Sequence, residues 1–289
     1  MNKPDAYRVS IVFVDGRNAT PERFPMEAGS MGCDIEQCRS WFQFFTKGFL
    51  QSDADDADRE NIRLKIDHSL RVLDRAFQIT AAMDIDEDTK GLAHIGALFH
   101  DVGRFPQYML YRTFVDRQSV NHALLSVDVL RKDGVLRDLP ETSRRQILGA
   151  IWLHNRFSIS SGLSPKLDLL ARIIRDADKL DIFFIMVSRL RSDSSTNNTV
   201  LFHLKPHPSA YTKTIMVDIR SGRLGRYDEM VWINDFKLLL CSWIYDFNFD
   251  ISREILSKSG LFESLLSLLP DLPEMVSLKK QLRPLLCIE

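Results

Sequence analysis

Apolar and polar positions between residues 61 and 191 recur at the spacing of α-helices, with brief interruptions. One stretch, Leu92–His100, is apolar on almost every side, which predicts a fully buried central helix. Gly103 and Pro106 follow it and are predicted to end that helix. The pattern predicts five helices in this region: Ile62–Ala82, Leu92–His100, Ser119–Leu130, Thr142–Leu153 and Lys166–Leu190.

The flanking segments have less regular patterns. Residues 8–14 are β-branched and aromatic, which predicts a strand, and the acidic stretch Ser52–Glu60 is either a solvated link or a helix N-terminus. A polar loop is predicted at Ser192–Asn198. The remaining predictions are helices at Ser40–Leu50, Ile233–Tyr245, Ile251–Leu269 and Glu274–Leu282, and short strands at Val200–Leu204 and Thr212–Ile219.

These elements predict a mainly α protein with a small β element in its C-terminal part. We expect residues 1–55 to form an N-terminal strand and helix extension and residues 56–191 to form the helical core. Residues 192–289 are then a β-hairpin and helices that pack on this core.

Composition narrows the function classes. Lys and Arg total 38 against 39 Asp and Glu, so 38 − 39 leaves a net charge of −1, which gives no strong nucleic-acid signal. No apolar run reaches the ~18–20 residues that span a bilayer, and the N-terminus lacks a signal-peptide pattern, so we expect a cytoplasmic protein without a membrane partner. The sequence leaves the oligomeric state open, a homo-oligomer included.

The residues that carry chemistry lie at the ends and on the faces of the predicted helices. Placing His100 and Asp101 at the end of a buried helix is costly unless another group pairs with them. A divalent metal ion would do so, since imidazole and carboxylate are common ligands and a carboxylate can bridge two ions. A single catalytic ion that keeps positions free for water and substrate needs fewer than six protein ligands. The six candidate ligands therefore predict two ions roughly 3.5–4 Å apart. These candidates are His68, His100, Asp101, His122, His154 and Asp178.

Three aspartates crowd together in the last predicted core helix. At 100° per residue, Asp178 shares a face with Asp181. Asp176 lies about 200° away from Asp178, beside Arg172 and Lys179, a pattern typical of a solvated ion-pair face. Asp178 is therefore the predicted ligand, and Asp181 is predicted to orient a ligating imidazole from behind.

Five short segments occur in a recognisable order. They are His-Ser-Leu-Arg-Val from His68, Phe-His-Asp-Val-Gly-Arg from Phe99, Asn-His-Ala-Leu-Leu-Ser from Asn121, Leu-His-Asn from Leu153 and Arg-Asp-Ala-Asp-Lys-Leu-Asp from Arg175. Together they resemble the successive motifs of the HD superfamily of metal-dependent phosphohydrolases, over residues 62–187.

The resemblance implies a four-ligand site of His68, His100, Asp101 and Asp178, to which the two-metal branches add His122 and His154. It implies hydrolysis of a phosphate ester, of a nucleotide or related small phosphorylated molecule, by a metal-activated hydroxide. The implied cofactors are one or two divalent metal ions, with Fe or Mn preferred over Ni, Co, Zn or Mg. There are two departures. Relatives often carry Lys where this chain has Arg104, and no Gly-Tyr-Pro segment follows His154, so the subgroup that degrades cyclic di-GMP is not supported.

Several further residues are candidates for roles around the metal. Asp101, His100, Arg104 and Lys179 are candidate catalytic residues, and the candidates for substrate phosphate are Arg71, Arg104, Lys179 and Asn155. His94 lies about 10 Å from Asp101 along its helix and is predicted to be structural. Two alternatives stay open at this point: a di-iron oxygenase of the same fold and a nucleotide-binding regulatory module.

Overall fold

The computed structural model describes residues 34–52, 55–159, 161–191 and 204–286, and these residues form an all-α fold, as predicted. The predicted strand at residues 8–14 and the loop at Ser192–Asn198 lie outside the described residues. The helices are α1 Ile35–Leu50, α2 Asp56–Ala81, α3 Glu87–Phe99, α4 Arg104–Tyr111, α5 His122–Asp133, α6 Glu141–Leu153, α7 Pro165–Arg191, α8 Lys213–Arg220, α9 Ile233–Ser242, α10 Asp250–Lys258, α11 Leu261–Ser267 and α12 Pro273–Leu282.

Helix α3 is the centre of the fold, as its apolar pattern predicts. Every residue from Leu92 to Phe99 is buried, and α3 packs against α1, α2, α6 and α7. A Cβ added at Gly96 would lie 2.6 Å from Cδ1 of Ile174, so the glycine lets α3 and α7 approach closely. The central helix can therefore present its C-terminal end to several neighbours at once.

Two helix boundaries resolve or correct the sequence predictions. The acidic stretch is a helix N-terminus, because the Asp55 side chain accepts a hydrogen bond from Asp58 N and caps α2. Pro106 does not end α3, which stops at Phe99; it lies instead in the first turn of α4. A proline is tolerated there because the first turn of a helix does not need its N–H.

The predicted strand Thr212–Ile219 is wrong, because Lys213–Arg220 form α8. Ile215, Met216 and Ile219 are buried on one helical face, and α8 packs against α9. β-branched residues suit either element, so tertiary packing decides between strand and helix. In residues 204–286 the described chain has no β-hairpin, only an isolated bridge between Lys205 and Trp232. The single helix predicted over Ile251–Leu269 is divided at Gly260 into α10 and α11.

The C-terminal helices are fastened to α7 through buried polar groups. The prediction that Asp176 lies on a solvated face is wrong: its carboxylate is fully buried and accepts hydrogen bonds from Asn248 N, at 2.9 Å, and Phe249 N, at 3.1 Å. Arg175 donates to Asp246 at 3.0 Å. The residues after α9 cover this face of α7, which the pattern within α7 alone does not reveal.

Among the residues that the structure describes, no helix combines the length and apolar character that crossing a membrane requires.

Candidate metal centre

All six predicted ligand residues come together at one place in the fold. His68 lies in the middle of α2, His100 and His154 directly follow α3 and α6, His122 begins α5 and Asp178 lies in α7. The donor atoms form overlapping groups in which all atoms lie within 4.8 Å of one another. Those groups are His68–His100–Asp101, His100–His154–Asp178 and Asp101–His122–His154.

Asp101 stands between two pairs of imidazoles. Its Oδ2 atom lies 3.6 Å from Nε2 of His68 and 3.8 Å from Nε2 of His100. Its Oδ1 atom lies 3.4 Å from Nε2 of His122 and 3.9 Å from Nε2 of His154. Each carboxylate oxygen thus faces a different pair, which is the arrangement of a carboxylate that bridges two cations.

Asp178 completes the first of these groups. Its Oδ1 atom lies 3.2 Å from Nε2 of His68 and 3.6 Å from Nε2 of His100. Helix α7 therefore adds a second carboxylate to the His68 side of Asp101, and the same carboxylate also lies within 4.8 Å of a donor atom of His154.

Backbone carbonyls fix the orientation of two imidazoles. Nδ1 of His100 donates to the carbonyl of Ala97 at 2.7 Å, and Nδ1 of His154 donates to the carbonyl of Ile151 at 2.6 Å. Because a carbonyl can only accept, Nδ1 must carry the proton in both rings. In the neutral imidazole this leaves a lone pair on Nε2, the atom that faces the centre.

Carboxylates do the same for the other two imidazoles. Nδ1 of His68 lies 2.7 Å from Asp181 Oδ2, and Nδ1 of His122 lies 2.8 Å from Asp116 Oδ2. Such carboxylate–histidine pairs orient metal ligands and raise their basicity. Asp181 is itself held by the Arg71 guanidinium, whose Nε donates to Oδ1 at 2.6 Å. The predicted orienting role of Asp181 thus matches a direct hydrogen bond.

The inward-facing nitrogens need a cation. Nε2 of His68 and Nε2 of His100 are buried without a hydrogen-bond partner among the described residues. Nε2 of His122 lies 3.1 Å from Nε2 of His154, so two lone pairs face each other unless a proton or a metal ion lies between them. Burial lowers the pKa of His154 to about 3, which disfavours a proton. The donor set therefore fits divalent metal ions.

Both carboxylates remain ionised in this environment. Burial alone would raise the pKa of Asp101, but Lys65 and then His100 hold it well below its usual range. The same holds for Asp178, where the neighbouring His100 and His68 outweigh burial and hold the pKa well below its usual range. Two carboxylates and four imidazoles are a ligand set that suits transition-metal ions.

A glycine brings α5 close enough to deliver His122. A Cβ added at Gly103 would lie 2.4 Å from the His122 carbonyl oxygen and 2.5 Å from Ser126 N. Ser126 Oγ accepts a hydrogen bond from Gly103 N at 2.8 Å and donates to the His100 carbonyl at 2.9 Å. The glycine after His100-Asp101 and the serine after His122 thus join two ligand-bearing segments.

The family model of the HD domain matches residues 66–182, a range that contains all six ligand residues. Residues 66–182 form an HD domain. This match agrees with the resemblance of the motifs to the HD superfamily. Comparisons with curated proteins and with solved structures found no match.

Two predicted phosphate contacts lie beside the centre of the HD domain. Arg104 Nη1 donates to Asp116 Oδ1 at 2.9 Å, and its Nε lies 3.5 Å from Asp101 Oδ1. Asn155 lies on the same side, with its Nδ2 3.4 Å from Asp116 Oδ2. Its Oδ1 is buried and unpartnered among the described residues. Both side chains therefore adjoin the His122 side of Asp101.

The other two predicted contacts are engaged elsewhere. Arg71 is bound to Asp181, and its guanidinium lies over the Phe184 ring at 5.6 Å from the centroid. Lys179 forms its ion pair with Asp246, away from the six ligand residues. This position gives no support to a catalytic or phosphate-binding role for Lys179.

Three residues near the centre were not predicted. Lys65 donates to Asp101 Oδ2 at 2.8 Å; it lies three residues before His68, so helical spacing could have indicated it. Asp116 holds His122 from a short 3₁₀ helix, where no periodic signal exists. Burial and the charge of Asp178 raise the pKa of Tyr227, a residue of the short 3₁₀ helix Tyr227–Glu229.

Proposed function

We propose that the HD domain hydrolyses a phosphate ester of a nucleotide or related small molecule in a metal-dependent reaction. The first metal ion would be held by His68, His100, Asp101 and Asp178, and the second by His122, His154 and the shared Asp101. The observation that supports this proposal most strongly is the position of Asp101, whose two carboxylate oxygens face two different histidine pairs.

When bound, such cations lower the pKa of coordinated water to about 7 and neutralise charge on phosphoryl oxygens. The chain's own residues prepare the site for this. The Nδ1 hydrogen bonds hold four imidazoles in the tautomer that binds metal through Nε2. Lys65 and Arg104, on opposite oxygens of Asp101, add positive charge that favours an anionic ester.

The chemistry of the candidate ligands also favours some metal ions over others. Imidazole nitrogens with carboxylate oxygens suit Fe, Mn, Co, Ni or Zn better than Mg or Ca, which prefer oxygen ligands alone. Iron or manganese is the proposed cofactor, with the number of bound ions set by whether both histidine pairs are occupied.

The test is phosphate release by the full chain loaded separately with each divalent metal, on nucleoside monophosphates, cyclic nucleotides and dinucleotides. Diesters are followed with an added phosphomonoesterase, and metal content is measured on each sample. We expect release with at least one metal, reduced more than about 100-fold in Asp101→Asn, because a bridging ligand matters more than the outer residues that cost 10–100-fold. The matched variant Asp67→Asn, at an exposed position of α2, retains activity.

Two results would contradict the proposal. One is the absence of phosphate release from every ester in samples that contain stoichiometric metal. The other is oxygen consumption with a phosphonate or polyol substrate by the iron-loaded chain, which would instead identify the oxygenase chemistry that the same ligand set supports.

A further inference from the structure

A groove of about 750 Å³ lies between the HD domain and α8. Phe157, which lines one side, follows the ligand residue His154 by three positions. Val217 and Lys213 of α8 line the other side, with Arg226 and Glu229 beyond them. A cavity of this size is typical of small-molecule sites.

Phe157 places the groove next to the metal centre. Only Asn155 and Arg156 separate it from His154, so at most about 11 Å of backbone lies between this groove residue and a candidate metal ligand. The groove therefore begins close to the His154 side of the metal centre.

The walls of the groove are more apolar than an ordinary surface. Phe157 is 69% exposed and Val217 is 57% exposed, and both line the same cavity. Exposed apolar side chains gathered in a concave site are typical of ligand-binding surfaces. An exposed phenyl ring offers a face on which a flat aromatic group can stack.

The charges around the groove largely cancel. Arg223 pairs with Asp218 at 2.7 Å, and Arg226 pairs with Asp228 at 3.1 Å. Thr214 Oγ1 donates to Glu229 at 2.6 Å. Apart from Lys213, the charges of this rim are engaged with one another, so they favour a second phosphate group less than a cluster of free cations would. The rim offers hydrogen-bonding edges around an apolar floor. That combination suits a nucleobase better than a polyphosphate chain.

We propose that this groove binds the nucleoside part of the substrate while the metal centre holds the phosphate. This inference rests on the proposed function for the position of the phosphate, but not for the binding of the nucleoside itself. Helix α8 and the residues up to Glu229 lie outside the matched HD domain. The C-terminal part of this chain then selects the substrate, and the HD domain hydrolyses it.

The first experiment compares two kinds of ester on the metal-loaded chain: nucleotides, and glycerol phosphate, which lacks a base. Val217→Trp fills the groove from an exposed position of α8. We expect this variant to lower kcat/KM for nucleotides at least 10-fold, mainly by raising KM. The kcat/KM for glycerol phosphate should change less than twofold. The matched control is Val276→Trp, at an exposed valine of α12 outside the groove, which should change neither.

The second experiment removes the dependence on catalysis. Binding of free adenosine, guanosine, cytidine and uridine to the metal-free chain is measured by calorimetry. We expect at least one nucleoside to bind, more than 10-fold more weakly in Val217→Trp and in Phe157→Ala, with no change in Val276→Trp. If no ester is hydrolysed, only the proposed function is overturned. The binding measurement then still tests whether the groove holds a nucleoside.

Three results would overturn the inference. The first is equal loss of activity toward nucleotides and glycerol phosphate in Val217→Trp. The second is unchanged nucleotide kinetics in that variant. The third is the absence of nucleoside binding, or binding that Val217→Trp and Phe157→Ala leave intact.

Discussion

His122 and His154 face each other through their Nε2 atoms at 3.1 Å. Their Nδ1 atoms are both engaged, by the Asp116 carboxylate and the Ile151 carbonyl. Neither ring can turn to present a proton without breaking that bond, so the pair is pre-arranged for a cation. The pair lies on the Oδ1 side of Asp101, opposite His68 and His100.

This arrangement predicts that the two histidine pairs bind metal separately. The variant His122→Gln/His154→Gln should lower the metal content of the protein from two ions per chain to one, because His68, His100, Asp101 and Asp178 are untouched. Elemental analysis after dialysis measures the ratio. His207→Gln, at an exposed histidine, should leave two ions. A wild-type ratio of one would contradict the two-metal arrangement.

Asp181 should raise the metal affinity of the site that contains His68 without binding metal itself. Asp181→Asn removes the charge that holds Nδ1 of His68, so we expect metal affinity to fall 10–100-fold. Titration against a chelator of known affinity measures the change. Asp116→Asn should weaken the His122 side by a similar factor, whereas Asp67→Asn should have no effect. Full affinity in both variants would mean that these carboxylates do not orient the ligands.

Gly103 should be irreplaceable by a larger residue. A Cβ there would meet backbone atoms of His122 and Ser126, so Gly103→Ala must push α5 outward. We expect loss of the second metal ion and about 1–3 kcal/mol of stability, as for other overpacked sites. Metal analysis and urea unfolding provide the measurements. Gly91→Ala is the matched control, because no atom lies within 4 Å of its added Cβ and alanine favours a helix. Equal effects of Gly103→Ala and Gly91→Ala would refute the steric explanation.

His94 should make stability depend on pH. It lies apart from the metal centre, with Nε2 2.8 Å from Thr80 Oγ1 and its ring against Phe77, in agreement with its predicted structural role. Burial lowers its pKa to about 4, below the ordinary value of 6.5. The unfolded chain therefore binds more protons between these values, and the contribution of His94 to stability is lost as pH falls from 6.5 to 4.

The measurement is urea unfolding of the metal-free chain between pH 4 and 7.5. His94→Gln cannot titrate, so the difference in unfolding free energy between wild type and variant should shrink as pH falls, by about 2 kcal/mol. Comparison with the variant removes the common contribution of the metal ligands, which titrate in both proteins. Parallel curves for the two proteins would show that His94 does not titrate on unfolding.

The convergence of the six candidate ligand residues could be predicted because each lies on or directly after a helix whose pattern is strong and local. The buried run before His100 shows that two polar groups must emerge at the end of a central helix. Asp178, and not Asp176, lies on the face of α7 toward the other candidate ligands, as the spacing of 100° per residue predicts. The predicted solvated position of Asp176 is wrong, since Asp176 is buried under Asn248 and Phe249.

The failures share one physical cause. Contacts with distant segments of the chain determine the environment of Asp176 and Lys179 and the helical structure of α8. The pattern within a single element cannot predict those contacts. Tyr227 is a similar case. Its position near Asp178 depends on how the C-terminal part folds back over the HD domain.

Arg175 joins the metal centre to the C-terminal helices. It donates to the carbonyls of His154 and Arg156 and to the carboxylate of Asp246. A chain cut after α7 would remove Asp246, the counter-charge of Arg175 and Lys179, and would expose the face of α7 that the C-terminal residues cover. The matched segment is therefore not a portable module: transplanted alone into another protein, it would lose the support of the helix end that carries His154.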